Sequence, residues 1–181
     1  LPGFLAEHPG ITINLHTRLA PFDFRNDPLD AAIHFGPPDW PGARLDLLMH
    51  ETVVAACSPA LRRQHRLKRP ADLLRAPLVH LASRPDAWER WLQDAQVPFG
   101  PLPGMLVDQF ALAAQAAVAG LGVALLPRFL IDSELARGDL VLAADHPLTS
   151  TDAYHLAWPI DREHHPPLQA FRRWLVAQAA A

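Results

Sequence analysis

The chain has 181 residues, of which 50% are hydrophobic and 19% are charged, and its formal net charge is −3. This length can bury a core as one domain or two small ones, and the negative charge argues against nucleic acid as the main partner of this piece. No apolar run reaches about 18 residues, so no transmembrane helix is expected. The single cysteine, Cys57, excludes an internal disulfide and fits a reducing compartment.

The first third of the chain predicts a short helix followed by extended segments. A turn at residues 8–10 ends the helix, and residues 11–16 alternate apolar with polar side chains, which is typical of a half-buried strand. Residues 30–35 form an apolar run stopped by glycine and prolines, which predicts a buried strand. Residues 44–48 and 51–56 are expected to be extended, and the Ser-Pro pair after them starts a helix.

The middle of the chain predicts helices that alternate with strands. Residues 70–75 are expected to form one helical turn and residues 78–82 the next strand. Asp86 and Glu89 can then form a capping box at the start of a helix. The apolar residues of this helix recur at the spacing of one helix face, which packs on the sheet: Trp88, Trp91, Leu92 and Ala95. A short strand is expected at residues 105–107.

Residues 108–127 form the most regular unit of the sequence. Residues 109–119 are alanine-rich and apolar nearly all round, which predicts a helix buried on more than one side, with Asp108 as its N-cap. Residues 123–126 follow as a short buried strand. The Gly-Leu-Gly at residues 120–122 invites a nucleotide-binding interpretation, but a helix precedes it and the third glycine is absent. Turn geometry is therefore the favoured explanation.

The last part of the chain continues the alternation. A helix closed by Gly138 is expected at residues 129–137, strands at 140–142 and 154–158, and a final helix from Pro166. Strands alternating with helices at this spacing predict a largely parallel sheet with helices on both faces. Ligands of such folds bind beyond the carboxyl ends of the strands. The loops expected to contact a ligand are residues 17–20, 35–38, 83–86 and 108–110.

Four segments, taken in order, point to one family. Residues 29–36 (LDAAIHFG), 40–42 (WPG), 54–61 (VAACSPAL) and 115–127 (QAAVAGLGVALLP) resemble the effector-binding domain of LysR-type transcriptional regulators, in particular the glycine-cleavage-activator-like branch. The resemblance extends from Leu1 to about residue 177. It implies an α/β fold like that of type 2 periplasmic binding proteins, with two Rossmann-like subdomains joined by two crossing strands.

The resemblance also implies a domain division. Residues 1–56 and 154–181 would form regulatory subdomain I, residues 57–153 regulatory subdomain II, and the crossings would fall at residues 56–58 and 152–154. Family domains begin with a further strand ahead of the first helix, so the first strand of subdomain I is expected to be absent. The winged helix-turn-helix that reads DNA lies further upstream in the family. DNA binding is therefore expected only through that N-terminal domain.

Site residues follow from the resemblance position by position. Hydroxyl groups of a threonine and a serine would hydrogen-bond an effector, an arginine could pair with a carboxylate at two points, and two phenylalanines would supply apolar contacts. For each residue an ordinary structural role is the alternative: helix start, solvated charge or core. The expected ligand-binding residues are Thr17, Arg18, Ala20, Phe35, Gly36, Pro37, Ala82, Ser83, Arg84 and Phe110.

The sequence contains no motif for metal binding, catalysis or cofactor binding. The ten histidines include no HExxH motif, and His164 and His165 are adjacent and point apart, so no metal site is expected. No nucleophile motif or cofactor loop occurs, so neither catalysis nor a cofactor is expected. Cys57 is more simply a small buried hydrophobe than a redox sensor. The basic run at residues 62–69 could contact phosphates, although a solvated loop is favoured.

The resemblance implies a cytoplasmic ligand-sensing domain with a small-molecule effector, for which a carboxylate is one candidate, and no membrane partner. Family members form antiparallel homodimers, and a tetramer is open for the full-length protein; the first helix and strand would pack on the partner's central helix. Ala113 and Ala117 would lie in that interface. A free-standing solute-binding protein of the same fold is the alternative, and an enzyme of the prephenate dehydratase or deaminase kind is a third possibility.

Overall fold

A computed structural model describes residues 1–18 and 22–179 of the chain. The helices are α1 (Pro2–Glu7), α2 (Pro59–His65), α3 (Ala87–Asp94), α4 (Phe110–Val118), α5 (Asp132–Arg137) and α6 (Pro166–Ala179). The strands are β1 (Ala32–Gly36), β2 (Ala43–Cys57), β3 (Leu78–Leu81), β4 (Gly104–Val107), β5 (Val123–Pro127), β6 (Val141–Leu142) and β7 (Leu148–Pro159). Short 3-10 helices occupy Pro70–Arg75, Arg128–Leu130 and Ile160–Arg162.

The chain divides into two units, and two long strands belong to both. Unit 1 consists of Leu1–His50 and Thr151–Ala181, and unit 2 of Glu51–Ser150. The chain passes from one unit to the other within β2 and returns within β7. The α/β class expected from the sequence is confirmed. The regulatory roles assigned to residues 1–56 with 154–181 and to residues 57–153 stay predictions.

Unit 1 is built on β7. Strand β1 pairs with β7 antiparallel, with Ala32 opposite Ala157 and Gly36 opposite Ala153, and β2 lies on the other side of β7. Leu156 and Trp158 alternate with residues of the opposite face, so both point to α6 and pack with Leu168. Helix α1 joins this core through its one fully buried side chain, Phe4, whose ring lies 5.4 Å from that of Phe171.

Unit 2 has a sheet whose central strand, β5, is buried on both faces. Strand β5 pairs antiparallel with β2 and parallel with β3, β3 pairs parallel with β4, and β6 pairs with β2. Alternate residues of β5 serve different cores: Val123 and Leu125 pack with α3, whereas Ala124 and Leu126 pack with the alanines of α4. The predicted helix face at the tryptophans is therefore confirmed. The alanine-rich helix packs on the sheet through Ala113, Ala116 and Ala117, but the expectation that it is buried on more than one side is wrong, because Leu112 of the same helix is 52% exposed.

The expected parallel sheet is wrong for part of the molecule. Strands β3, β4 and β5 run parallel, whereas the pairs β1–β7, β2–β5 and β2–β6 are antiparallel. Hydrophobic periodicity reports which residues are buried, but it contains no information on strand direction. The crossing strands β2 and β7 take part in these antiparallel pairs. Sequence periodicity could not predict their direction relative to the neighbouring strands.

The predicted strand at residues 11–16 is also wrong. These residues belong to no helix or strand, and Leu15 is 77% exposed. An alternating pattern makes a segment compatible with a sheet, but a strand forms only where a neighbour accepts its backbone hydrogen bonds. No neighbouring strand pairs with this segment among the described residues.

Two glycines sit where a side chain would collide with backbone. A Cβ on Gly104 would lie 2.3 Å from the carbonyl oxygen of Leu78 on the paired strand, and one on Gly122 would lie 2.9 Å from that of Pro77. Gly120 adopts φ +75° in the turn after α4, a conformation that glycine tolerates best. Turn geometry and close approach thus account for the Gly-Leu-Gly sequence.

Among the residues that the structure describes, every helix is too short or too polar to cross a bilayer.

Candidate functional site

The nominated residues form two groups, one on each unit. The unit-1 group is Thr17, Arg18, Phe35, Gly36 and Pro37. The unit-2 group is Ala82, Ser83, Arg84 and Phe110. Ala20, the tenth nominated residue, lies outside the described residues. Both groups contain residues that directly follow strands, as expected for ligand-contacting positions of an α/β fold.

Arg84 in the unit-2 group is bound by a buried carboxylate. Both terminal guanidinium nitrogens donate to Glu51: Nη1 to Oε1, and Nη2 to Oε2 at 3.0 Å. The Glu51 side chain is fully buried and that of Arg84 is 14% exposed. Two parallel N–H···O bonds fix the guanidinium in both position and plane. Arg84 is therefore not a solvated side chain, which was the ordinary alternative for it.

The same guanidinium lies over an aromatic ring. The Cζ atom of Arg84 is 4.8 Å from the ring centroid of Phe110, the first residue of α4. The backbone N–H of Ala82 donates to the carbonyl of Val107 at 2.8 Å, which holds the loop after β3 beside the end of β4. A cation over a ring is stabilised by the ring quadrupole, more strongly where water is excluded. The structure thus brings Ala82, Arg84 and Phe110 together, and Ser83 is exposed in the same loop.

Glu51 was not recognised from the sequence. It lies in β2 at the first residue of unit 2, three residues before an apolar run that is buried from Val54 to Cys57. A charged residue adjoining an apolar strand was the available signal, because carboxylates are rarely buried unless they are paired. The sequence could not identify the partner, since Glu51 and Arg84 are 33 residues apart.

The unit-1 group is centred on an aromatic pair. Phe35 on β1 and Tyr154 on β7 are register partners, and their ring centroids lie 4.9 Å apart. Tyr154 is the only tyrosine of the chain and was not nominated. Gly36 is buried with φ +152°, and a Cβ there would lie 2.9 Å from His34 Nε2, so only glycine fits without a shift of that ring. Pro37 follows as an exposed residue.

Thr17 and Arg18 are exposed residues near the start of the loop after residues 11–16. Arg18 Nη2 lies 3.6 Å from Asp27 Oδ1, and the Arg18 side chain is 48% exposed. This ion pair is long and open to solvent, so it contributes little to stability. Of the two nominated arginines, Arg84 is held tightly and Arg18 only loosely.

Two capping predictions near the site are wrong. The side chain of Asp86 makes no capping hydrogen bond at α3; it pairs instead with Arg90 at 3.2 Å. Helix α4 begins after Gln109, so Asp108 is not its N-cap. The preference of aspartate for the cap position is local, and it does not by itself decide at which residue a helix begins.

A cavity of about 300 Å³ lies elsewhere on unit 1. Residues 24–29 line it together with Pro159, Asp161 and Arg162, and none of the nine nominated residues that the structure describes does. Three of its charged residues form ion pairs: Arg25 with Asp23, Asp27 with Arg18, and Arg162 with Asp30. A polar recess of this kind has few apolar surfaces with which to bury a ligand, so we do not assign it to the effector.

The remaining reactive groups have structural roles. Cys57 is fully buried, and this burial raises the pKa of its thiol from 9.0 to about 11, which keeps the sulfur protonated and unreactive at neutral pH. In the described parts of the chain no three His, Cys, Asp or Glu side chains lie close enough together to hold a metal ion. In the basic run, the backbone N–H groups of Lys68 and Arg69 donate to Asp72, and both side chains are exposed.

Two α/β units connected by two long strands, with candidate binding residues at strand ends, define the class of two-unit α/β ligand-binding domains. Residues 1–180 match the family model described as the LysR substrate binding domain. The chain therefore belongs to the LysR substrate-binding domain family.

Similar proteins agree with this family. The chain is 34% identical over 181 residues to the HTH-type transcriptional activator AmpR of Rhodobacter capsulatus, covering 99% of this chain and 61% of that protein. It is 34% identical over 187 residues to the glycine cleavage system transcriptional activator of Escherichia coli K12, covering 100% of this chain and 60% of that protein. The chain thus spans about three fifths of the length of these relatives, which are named as regulators and not as enzymes.

Solved structures show the same fold. The effector domain of AmpR from Pseudomonas aeruginosa has a TM-score of 0.86 at 30% identity, covering 99% of this chain and 86% of that one. The AmpR effector-binding domain from Citrobacter freundii has a TM-score of 0.85 at 26% identity, covering 99% and 88%. The expected periplasmic-binding-protein-like fold of LysR effector domains is confirmed by these similarities.

Proposed function

We propose that this chain is the effector-sensing region of a LysR-type transcriptional regulator that acts in the cytoplasm, and that a bound small molecule alters DNA binding by another part of the full-length protein. The observation that carries the proposal is similarity along nearly the whole chain to proteins named as transcriptional activators, at 34% identity. An effector that binds two states of a regulator unequally typically shifts their balance by about 1 to 3 kcal/mol.

The proposed effector contacts are the ten nominated residues, with Tyr154 added to the unit-1 group. The contact between Phe35 and Tyr154 supports this addition, because it puts a phenol beside a nominated residue. In the unit-2 group, the packing of Arg84 on Phe110 supports a role for both in one local surface. We also propose that units 1 and 2 are the regulatory subdomains, since each has its own core.

We propose Arg18 as the partner of an effector carboxylate. Its ion pair with Asp27 is long and half-exposed, so a better-placed carboxylate could replace it at little cost. A two-point contact to a carboxylate would be shorter and stronger than this pair.

We propose a homodimer that uses exposed apolar residues at α1 and α4. Leu1 and Leu5 are each 41% exposed, and Leu112 on α4 is 52% exposed. Ala113 and Ala117 are 3% and 0% exposed because they pack inside unit 2. The expectation that those two alanines lie in the interface is therefore wrong, and Leu112 takes their place in the proposal.

The experiment uses the full-length protein and a DNA fragment that contains the promoter of the protein's own gene. A thermal-shift screen of small carboxylates, amino acids and aromatic compounds identifies stabilising molecules. Each stabilising compound is then titrated into the protein–DNA complex. A compound that raises the melting temperature and also changes DNA affinity supports the proposal. Compounds that stabilise the protein without any change in DNA affinity would instead support a solute-binding role.

A further inference from the structure

The ion pair of Glu51 with Arg84 bears on which chemical group of an effector the unit-2 group accepts. Arg84 has the fork of donors that normally recognises a carboxylate, and Glu51 already occupies both terminal nitrogens of that fork. The Glu51 carboxylate is fully buried, so it is a fixed part of unit 2 and not a surface group that contacts Arg84 only transiently.

An incoming carboxylate at Arg84 would have to compete with Glu51. If it displaced Glu51, that carboxylate would stay in the interior without its cation, which is strongly unfavourable. If Glu51 stayed in place, the incoming carboxylate would contact a guanidinium whose charge Glu51 already neutralises. Either outcome makes Arg84 a poor receptor for an anion.

We infer that Glu51 acts as an internal carboxylate that occupies Arg84, so that the unit-2 group recognises an uncharged part of the effector and the effector's charge is bound elsewhere. This inference rests on the proposed effector-sensing function and names the chemistry of one of its surfaces. Glu51 is then a positioning and specificity-determining residue: it fixes the guanidinium over Phe110 and removes its net charge. A neutral polar or aromatic group suits a ring with a neutralised guanidinium packed on it.

The backbone beside Glu51 is held independently of the ion pair. Val53 to Ala56 of β2 are paired with β5, so the main chain next to Glu51 is fixed by the sheet. Replacing Glu51 with alanine removes a CH2–COO group and leaves a space of that shape against the guanidinium. Acetate has the same size and charge as the removed group, which makes it a direct probe.

The test measures thermal unfolding of the full-length protein and of Glu51→Ala, each in sodium acetate and in acetamide, with sodium chloride equalising ionic strength. Acetate should raise the melting temperature of Glu51→Ala by on the order of 3 °C relative to acetamide. The wild-type protein should show no such preference, because its own carboxylate fills the site. The double variant Glu51→Ala with Arg84→Met should also show none, because the cation is gone.

Two results would overturn the inference. One is an acetate preference in the wild-type protein as large as that in Glu51→Ala, since this would show that Arg84 is open to external carboxylates. The other is the absence of any acetate preference in a folded Glu51→Ala. If Glu51→Ala does not fold in chloride, refolding in acetate decides: recovery of the circular dichroism signal in acetate but not acetamide supports the inference, and failure in both contradicts it.

Failure here is distinguishable from failure of the proposed function. A regulator could respond to a carboxylate effector directly through Arg84, in which case the DNA-binding experiment would succeed and the acetate experiment would contradict the role of Glu51. The acetate measurement requires neither DNA nor knowledge of the natural effector.

Discussion

Phe35 and Tyr154 face each other across β1 and β7, with ring centroids 4.9 Å apart and planes inclined at 51°. Cross-strand aromatic pairs contribute beyond their buried area, by about 1 kcal/mol. We expect a double-mutant cycle with Phe35→Leu and Tyr154→Leu to give a coupling energy of that size. Urea unfolding of the four proteins measures it, and strictly additive effects would contradict a direct interaction.

Gly104 should be irreplaceable for a steric reason. An added methyl group would lie 2.3 Å from a backbone oxygen of β3, so the two paired strands would have to separate. Gly104→Ala should therefore lower the free energy of unfolding by about 2 kcal/mol or more. Gly100→Ala is the matched control, because no atom lies within 4 Å of its added Cβ. Equal stability of both variants in urea would refute the close approach.

Removal of the Arg84 charge should be costly because Glu51 stays behind. Arg84→Met leaves a fully buried carboxylate without its cation, which typically costs about 3 to 5 kcal/mol. The control Arg90→Met breaks a solvent-exposed pair with Asp86 and should change stability by less than about 0.5 kcal/mol. Addition of Glu51→Leu to Arg84→Met should recover much of the loss. Chemical unfolding at neutral pH would show whether it does.

Charge substitutions on α4 should separate association from folding. Leu112→Glu places a carboxylate on an exposed position and should yield a folded monomer if the proposed dimer forms through α4. Ala113→Glu puts the same carboxylate into the core of unit 2 and should unfold the protein. Sedimentation and far-UV circular dichroism give the two readouts. A Leu112→Glu protein with unchanged sedimentation would exclude this face as the interface.

Asp72 should contribute stability that is lost in acid. Hydrogen bonds from the backbone N–H of Arg69 and of Lys68, and the nearby Arg75, hold the pKa of its carboxyl below the ordinary 3.8. A lowered folded-state pKa means that the contribution is complete above the unfolded pKa and disappears as pH falls through the folded one. Asp72→Asn should thus melt below the wild-type protein at pH 7, with the difference shrinking below about pH 4. Asp39→Asn is a control at an exposed aspartate and should change the melting temperature little at either pH. A pH-independent difference for Asp72→Asn would contradict the argument.

Periodic apolar patterns predicted the helices of unit 2 well. The spacing of Trp88, Trp91 and Leu92 marks one helix face, and the alanines of α4 mark a helix packed closely on a sheet. These signals are local, because burial of one face requires only that the right residues recur at the helical period.

The errors concern features that depend on distant residues. The alternation at residues 11–16 predicted a strand, but pairing needs a neighbour that no pattern within the segment specifies. Antiparallel pairing of β2 with β5 likewise joins segments about 70 residues apart along the chain. At the candidate site, Arg84 and Phe110 could be nominated by resemblance, whereas Glu51 became visible only once folding had buried it beside the guanidinium.

The indole pair inside unit 2 gives that unit its own optical signature. Trp88 and Trp91 meet edge to face with ring centroids 5.8 Å apart, and each N–H is anchored on a backbone carbonyl. Rigid neighbouring indoles couple their electronic transitions and produce near-ultraviolet ellipticity, which fades when packing loosens even while helices persist. Replacement of Trp40, Trp158 and Trp174 by phenylalanine would remove the signals of the other three indoles. The loosening of a single unit could then be followed spectroscopically without any added label.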